Sequence, residues 1–223
     1  DVLLANLDHV TSLLIGPGLG LEDTTKEFIA SLFYGTAAKP THGRMGFVQT
    51  NLGKEPDSKT TVLPPLVIDA DGLKLLAKLP EWPKLIPDLT ILTPHPGEMS
   101  VMTGLTIDEI QQDRLAYARK YAEMWGHVIV LKGAFTVIAA PDGRTTTIPI
   151  ATSALARAGT GDVLSGIIVG LRAQGLEAYD AARLGAWIHA QAGLTAAQIL
   201  GSTNAVMAGD VLDAVADVLA GLT

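Results

Sequence analysis

A chain of 223 residues, 48% hydrophobic and 17% charged, can bury a sizeable core at the upper end of what one compact α/β domain holds, so a single domain over 1–223 is expected. Its formal charge of -7, from 16 Lys and Arg against 23 Asp and Glu, argues against a nucleic-acid binder, which holds phosphates with clustered cations. The absence of cysteine excludes disulfides and thiolate metal sites, and no apolar run approaches the ~20 residues that span a bilayer.

The N-terminus, Asp1-Val2-Leu3-Leu4, has neither the basic start nor the cleavage site of a signal peptide, so a soluble cytoplasmic protein without a membrane partner is expected. With 23 Gly and 12 Pro, the composition suits strands and helices joined by short, sharp loops. Residues 12–15 run into Gly16-Pro17-Gly18-Leu19-Gly20, and residues 66–68 into Asp69-Ala70-Asp71-Gly72. Residues 90–92 run into Thr93-Pro94-His95-Pro96-Gly97-Glu98, and residues 127–131 into Lys132-Gly133. Apolar runs that stop at such residues and give way to helical periodicity are βα units of a mostly parallel sheet.

Residues 35–65 are polar, proline-bearing and weakly periodic, which reads as an excursion from the domain. After Lys132-Gly133, residues 136–140 and 145–150 flank a Pro141-Asp142-Gly143-Arg144 turn, so a hairpin adds an antiparallel edge. Helices are expected over 162–174, 178–199 and 208–219. Gly166, Gly170, Gly185 and Gly193 inside them weaken an isolated helix, so close helix packing is the expected reason for them.

The turns carry the chemistry. In Ala158-Gly159-Thr160-Gly161-Asp162, two glycines around a small residue allow a tight turn with outward N–H groups, and the following helix adds its N-terminal partial charge. That suits a phosphate. Asp162 reads either as the helix cap or as a carboxylate that takes a proton from a hydroxyl attacking a phosphoryl group. Gly16, Gly18 and Gly20 let a ligand approach the backbone, or form an ordinary strand-to-helix turn, and their spacing is not that of a dinucleotide fingerprint. Asp69 and Asp71 could hold Mg²⁺ through water or cap the next helix. Two prolines stiffen the chain around His95, and Lys132 beside Gly133 is placed for a nucleotide phosphate or is a solvated strand-end cation. All of these turns follow the carboxyl ends of strands, the edge at which open α/β sheets bind ligands.

Residues 15–20, 67–73, 92–99, 131–138 and 158–171 together resemble the ADP/ATP-dependent NAD(P)H-hydrate dehydratases, a branch of the ribokinase-like superfamily. Thr-Pro-His-Pro-Gly-Glu combined with Leu-Lys-Gly and Gly-Thr-Gly-Asp carries the resemblance; sugar kinases of that fold keep the last motif and not the first.

The resemblance implies a three-layer α/β/α sandwich, with a further glycine-rich βα region of the family pattern expected ahead of residue 12 and missing here. It implies that Lys132, Gly133, Ala134, Phe135, Thr136, Gly159, Thr160 and Gly161 contact ADP or ATP. Gly18, Gly20, His95, Pro96, Gly97, Glu98 and Asp162 would face the hydrated cofactor. Asp162 would activate the hydrate hydroxyl of the S-epimer, which accepts a phosphoryl group and leaves as phosphate, restoring NAD(P)H with Mg²⁺ as cofactor. A homo-oligomer, a tetramer, is implied too. Thr152-Ser153 stands where the pattern has Asn-Pro, so that stretch stays outside the expected site. A small-alcohol kinase, for a sugar or vitamin precursor, and an inactive nucleotide-binding protein are the alternative functions.

Overall fold

The computed structural model describes residues 3, 6–35 and 63–222, so most of the 35–65 excursion lies outside the described residues. Six strands form one sheet in sequence order: β1 (Leu13–Ile15), β2 (Leu66–Ile68), β3 (Ile91–Leu92), β4 (Val128–Leu131), β5 (Val137–Ala139) and β6 (Thr145–Thr147). The first four pair in parallel, and β5 and β6 add antiparallel strands through the expected hairpin.

Strands β1 to β5 are short and apolar because both faces of the sheet are covered there, whereas the edge strand β6 is three threonines and largely exposed. Val67, Ile91, Val128, Val130 and Ile138 point to one layer, where they pack with Leu164 and Ile168 of α6 (Thr160–Ala173) and with Ala182 and Ala186 of α7 (Ala178–Leu200). Their neighbours along the strands point the other way, as the period of two requires. Leu66, Ile68 and Leu92 pack with Ile29 and Phe33 of α1 (Asp23–Tyr34) and Leu73 of α2 (Ala70–Leu76). Ile129, Leu131 and Val137 pack with Met99 of α3 (Pro96–Thr103), Ile110 of α4 (Ile107–Gln112) and Ala118 of α5 (Arg114–Trp125). The result is a three-layer α/β/α sandwich. A satellite core seats α8 (Ala208–Ala220) through Val211 and Ala214 against Ala192 and Ala196 of α7.

The helical glycines divide into two kinds. A Cβ on Gly185 would lie 2.6 Å from Ile168 Cγ1, and one on Gly193 would lie 2.6 Å from Leu155 Cδ2, so these two set close packing. Gly166 and Gly170 have nothing within 4 Å of the same position, and packing among the described residues does not account for them. Gly170→Ala should therefore raise stability by about 0.5–1 kcal/mol, while Gly185→Ala should lower it by roughly 1–3 kcal/mol through overpacking against Ile168. Urea midpoints measure both, and a Gly185→Ala protein as stable as the parent would show that this glycine does not set the α6–α7 spacing.

Candidate active site

The strand-end turns are stitched to one another by backbone hydrogen bonds. Asp69 N donates to Ile15 O at 3.0 Å, Thr93 N to Ile68 O at 3.1 Å and Lys132 N to Pro94 O at 2.8 Å. Gly16 has φ +132, and a Cβ there would lie 1.7 Å from Asp69 O, so the first two turns meet backbone to backbone and accept only glycine.

Lys132 Nζ lies 2.6 Å from Asp69 Oδ1 and 3.5 Å from Glu98 Oε2. Asp69 and Glu98 are almost wholly buried and the Lys132 side chain is largely so, which makes this a desolvated cation held between two carboxylates. The Asp69 carboxylate also caps α2, accepting from Ala70 N at 2.8 Å. Glu98 Oε2 accepts from His95 N at 2.8 Å, while His95 Nδ1 accepts from Gly97 N at 3.0 Å and Glu98 N at 3.2 Å. This reciprocal capping box starts α3, and Pro96, which has no N–H to satisfy, occupies its first turn. His95 thus fixes the backbone while half its side chain stays exposed.

Asp71 takes Lys74 at 2.9 Å and the Gly20 amide at 3.2 Å. Of the two aspartates weighed as water-mediated Mg²⁺ ligands, Asp71 has partners on both carboxylate oxygens and Asp69 on Oδ1, while the buried Asp69 Oδ2 has none among the described residues, and among the described residues no group of three His, Asp or Glu could hold a metal ion directly.

Helix α6 starts at Thr160, with Gly159 as its N-cap in the left-handed conformation, φ +87. Asp162 is therefore in the first turn and not the cap, and its side chain is solvent-exposed. Thr160 N donates to Arg157 O and Asp162 N to Gly159 O, so both flanking amides are used inside the turn. Gly161 between them borders a cavity, and a Cβ there would sit 3.5 Å from Lys132 Nζ. An anion at this spot meets the helix start and the Lys132 charge together.

The cavity measures about 370 Å³ and opens between the β4–β5 turn, the β6 end, the α6 start and α7. Lys132, Gly133, Ala134, Thr136, Thr160 and Gly161 line it, as do His95 and Pro96. Phe135 is exposed at φ +54 and is not in the lining, nor are Gly18, Gly20, Gly97, Glu98, Gly159 and Asp162. The Gly18 and Gly20 turn instead follows β1, three strands away from β4. At ~4.8 Å per strand that is roughly 14 Å, with the Lys132 network in between.

Sequence reasoning missed several of the lining residues. Thr152, Leu155 and Ala156 come from the stretch set aside for lacking Asn-Pro, and Ile148 and Ile150 from the end of the hairpin. Arg114 clamps the loop from α5, donating to Leu131 O at 2.7 Å and to Ala134 O. His189, from the middle of α7, is buried and lines the cavity. In sequence it is a lone His among alanines, and no local signal marks it.

The family model for NAD(P)H-hydrate dehydratase matches residues 45–215. The chain belongs to the NAD(P)H-hydrate dehydratase family. It is 42% identical over 215 residues to the bifunctional NAD(P)H-hydrate repair enzyme of Moorella thermoacetica, a match covering 96% of this chain and 35% of the relative. It is 39% identical over 152 residues to the ADP-dependent (S)-NAD(P)H-hydrate dehydratase of Neisseria meningitidis, covering 67% of this chain and 51% of the relative. The chain thus spans about a third to a half of the length of these relatives. The Bacillus subtilis ADP/ATP-dependent NAD(P)H-hydrate dehydratase, co-crystallised with ATP and Mg²⁺ and soaked with CoA, superposes with a TM-score of 0.72 at 28% identity, over 96% of this chain and 67% of that one. A ribokinase-like superfamily protein from Enterococcus faecalis, at 22% identity and a TM-score of 0.70 over 96% of this chain and 64% of that one, shares the fold. Among the described residues no helix is long and apolar enough to cross a membrane.

Lys132→Met leaves Asp69 and Glu98 without their cation, and the expected loss of stability is about 3–5 kcal/mol; a denaturant midpoint within experimental error of the parent would refute the network's role. Burial pushes the His189 imidazole down to about 4, with the Thr160 backbone opposing and the Lys132 charge reinforcing the shift. Burial also lowers His127. Between pH 6.5 and 4 the unfolded chain binds a proton that folded His189 refuses, so this contribution is complete above pH 6.5 and lost as pH falls. By pH 5 the His189 share amounts to roughly 2 kcal/mol. His189→Phe should accordingly lose less stability than the parent between pH 7 and pH 5, and equal losses would contradict the assignment.

Proposed function

We propose that this domain uses ADP or ATP to dehydrate the S-epimer of hydrated NAD(P)H. The observation that carries the reading is the cavity at the carboxyl edge of the sheet, which gathers the Lys132–Thr136 loop, the His95 loop and the start of α6 around one helix N-terminus. The names of the relatives supply the substrate class, and the same edge offers a second end, at Gly18 and Gly20, for the hydrate.

In this reading the nucleotide lies against residues 132–136 with its terminal phosphoryl group near Gly161. Asp162, exposed on the first turn of α6, takes the proton of the hydrate hydroxyl as that oxygen bonds to phosphorus and the bond to the leaving nucleotide breaks. ADP would yield AMP. The ring nitrogen then expels the phosphorylated oxygen as phosphate, and the adjacent ring carbon releases a proton to restore the double bond. A poor leaving group has become a good one. Mg²⁺ enters as the ion that accompanies the nucleotide and spreads the charge of its phosphoryl oxygens. Asp69 and Asp71 are not assigned to it. A homo-oligomer, a tetramer in the family's manner, and a cytoplasmic site of action complete the proposal.

The test is incubation of the protein with hydrated NADH, Mg²⁺ and either ADP or ATP, following recovery of absorbance at the reduced nicotinamide band. Asp162→Asn should bind nucleotide within about twofold of the parent and lose turnover by a factor on the order of 10² to 10⁴. Unchanged turnover in that variant would place the base elsewhere. A folded, nucleotide-binding parent without recovery would end the dehydratase reading.

A further inference from the structure

Arg114 opens α5, and its side chain is given over to the turn between β4 and β5. Nη2 donates to Leu131 O at 2.7 Å and Nη1 to Ala134 O, while the buried Nε has no partner among the described residues. The other edge of each of these two peptide units is held as well, since Lys132 N donates to Pro94 O at 2.8 Å and Phe135 N to Ile150 O at 3.1 Å. Both peptide planes are therefore pinned from two sides. The amides between them, Gly133 N and Ala134 N, have no hydrogen-bond partner among the described residues, and both residues line the cavity.

The turn is one that has to be held. Gly133 has φ +144, and Phe135 takes φ +54, a left-handed value that side-chain-bearing residues adopt reluctantly. A Cβ on Gly133 would lie 3.1 Å from Arg114 Nη2 and 3.3 Å from Cζ and Nη1, so the guanidinium occupies the space that a side chain there would need. Arg114 is absent from the cavity lining and reaches a ligand only through this turn.

Its charge is uncompensated by any acid. None of the ion pairs among the described residues includes Arg114, and the neighbouring Asp113 carboxylate is turned to the Ala116 amide as the cap of α5. Lys132, by contrast, is shared by two carboxylates. A guanidinium whose partners are two neutral carbonyls keeps its whole positive charge. Consecutive unpartnered amides beside such a cation favour an anionic ligand.

We propose that Arg114 is a positioning residue for the phosphate chain of the nucleotide, pinning the turn so that the Gly133 and Ala134 amides stay free for phosphate oxygens and adding its charge from beside the Gly133 backbone. The assignment rests on the reading that a nucleotide lies against residues 132–136. It gives Arg114 no contact with the reacting atoms.

The test compares ADP, titrated by calorimetry, with adenosine, the same ligand without phosphates, followed by ligand-observed NMR that reads weak binding. Arg114→Met, neutral and of similar length, should bind ADP about tenfold more weakly and adenosine within about twofold of the parent. Arg114→Lys keeps the charge but not the planar fork on two carbonyls, and should bind ADP about threefold more weakly, again with adenosine unchanged. A methionine variant that binds ADP within twofold of the parent, or that loses affinity for both ligands alike as a distorted cavity would, overturns the assignment and leaves the nucleotide site standing. If that variant does not fold, the lysine variant decides, and parental ADP affinity or an equal loss for both ligands overturns the assignment there. A folded parent that binds no ADP removes the nucleotide reading as well.

Discussion

The site depends on one buried ammonium group. Lys132 reaches back from the end of β4 to Asp69 at the end of β2 and to Glu98 beyond β3, so three strand-end turns share one cation. Two carboxylates this deeply buried would be costly without a counter-charge, and the backbone bonds from Asp69 to Ile15 and from Lys132 to Pro94 hold the turns in the register that lets them share it. The geometry around the α6 start is therefore a property of the sheet edge as a whole and not of any single loop.

That arrangement separates the roles of positive charge. Lys132 is committed to its carboxylates yet lies beside Gly161, so it can contribute field without being a free surface cation. The helix start contributes in the same direction. Asp162, a residue further along, is exposed and has no side-chain capping duty, which leaves its carboxylate available as a proton acceptor. Away from this polar end the cavity is walled by Ile148, Ile150 and Leu164, a lining suited to the flat, uncharged part of a ligand.

Much of the architecture was legible because it rests on local patterns. Unbroken apolar runs at residues 66–68 and 128–131 follow from a sheet covered on both faces, and abrupt stops at Gly16, Asp69 and Lys132 follow from turns that need those residue types. The three C-terminal helices fall within two residues of their expected bounds. The helical glycines were half legible. Gly185 and Gly193 mark close contacts with Ile168 and Leu155, whereas Gly166 and Gly170, identical in sequence terms, face no described atom.

The sequence by itself determined the order of elements, the clustering of unusual turns at one sheet edge and the family resemblance, since each is written in residues adjacent along the chain. Only the tertiary structure decided which side chains meet. Lys132 and Asp69 are 63 residues apart, and Arg114 reaches its loop from a preceding helix. His189 lies among small apolar residues in the middle of α7. It comes to line the cavity because α7 packs against α6. A contact between elements distant in sequence leaves no periodicity or spacing to read, and so it exists as information only once the chain has folded.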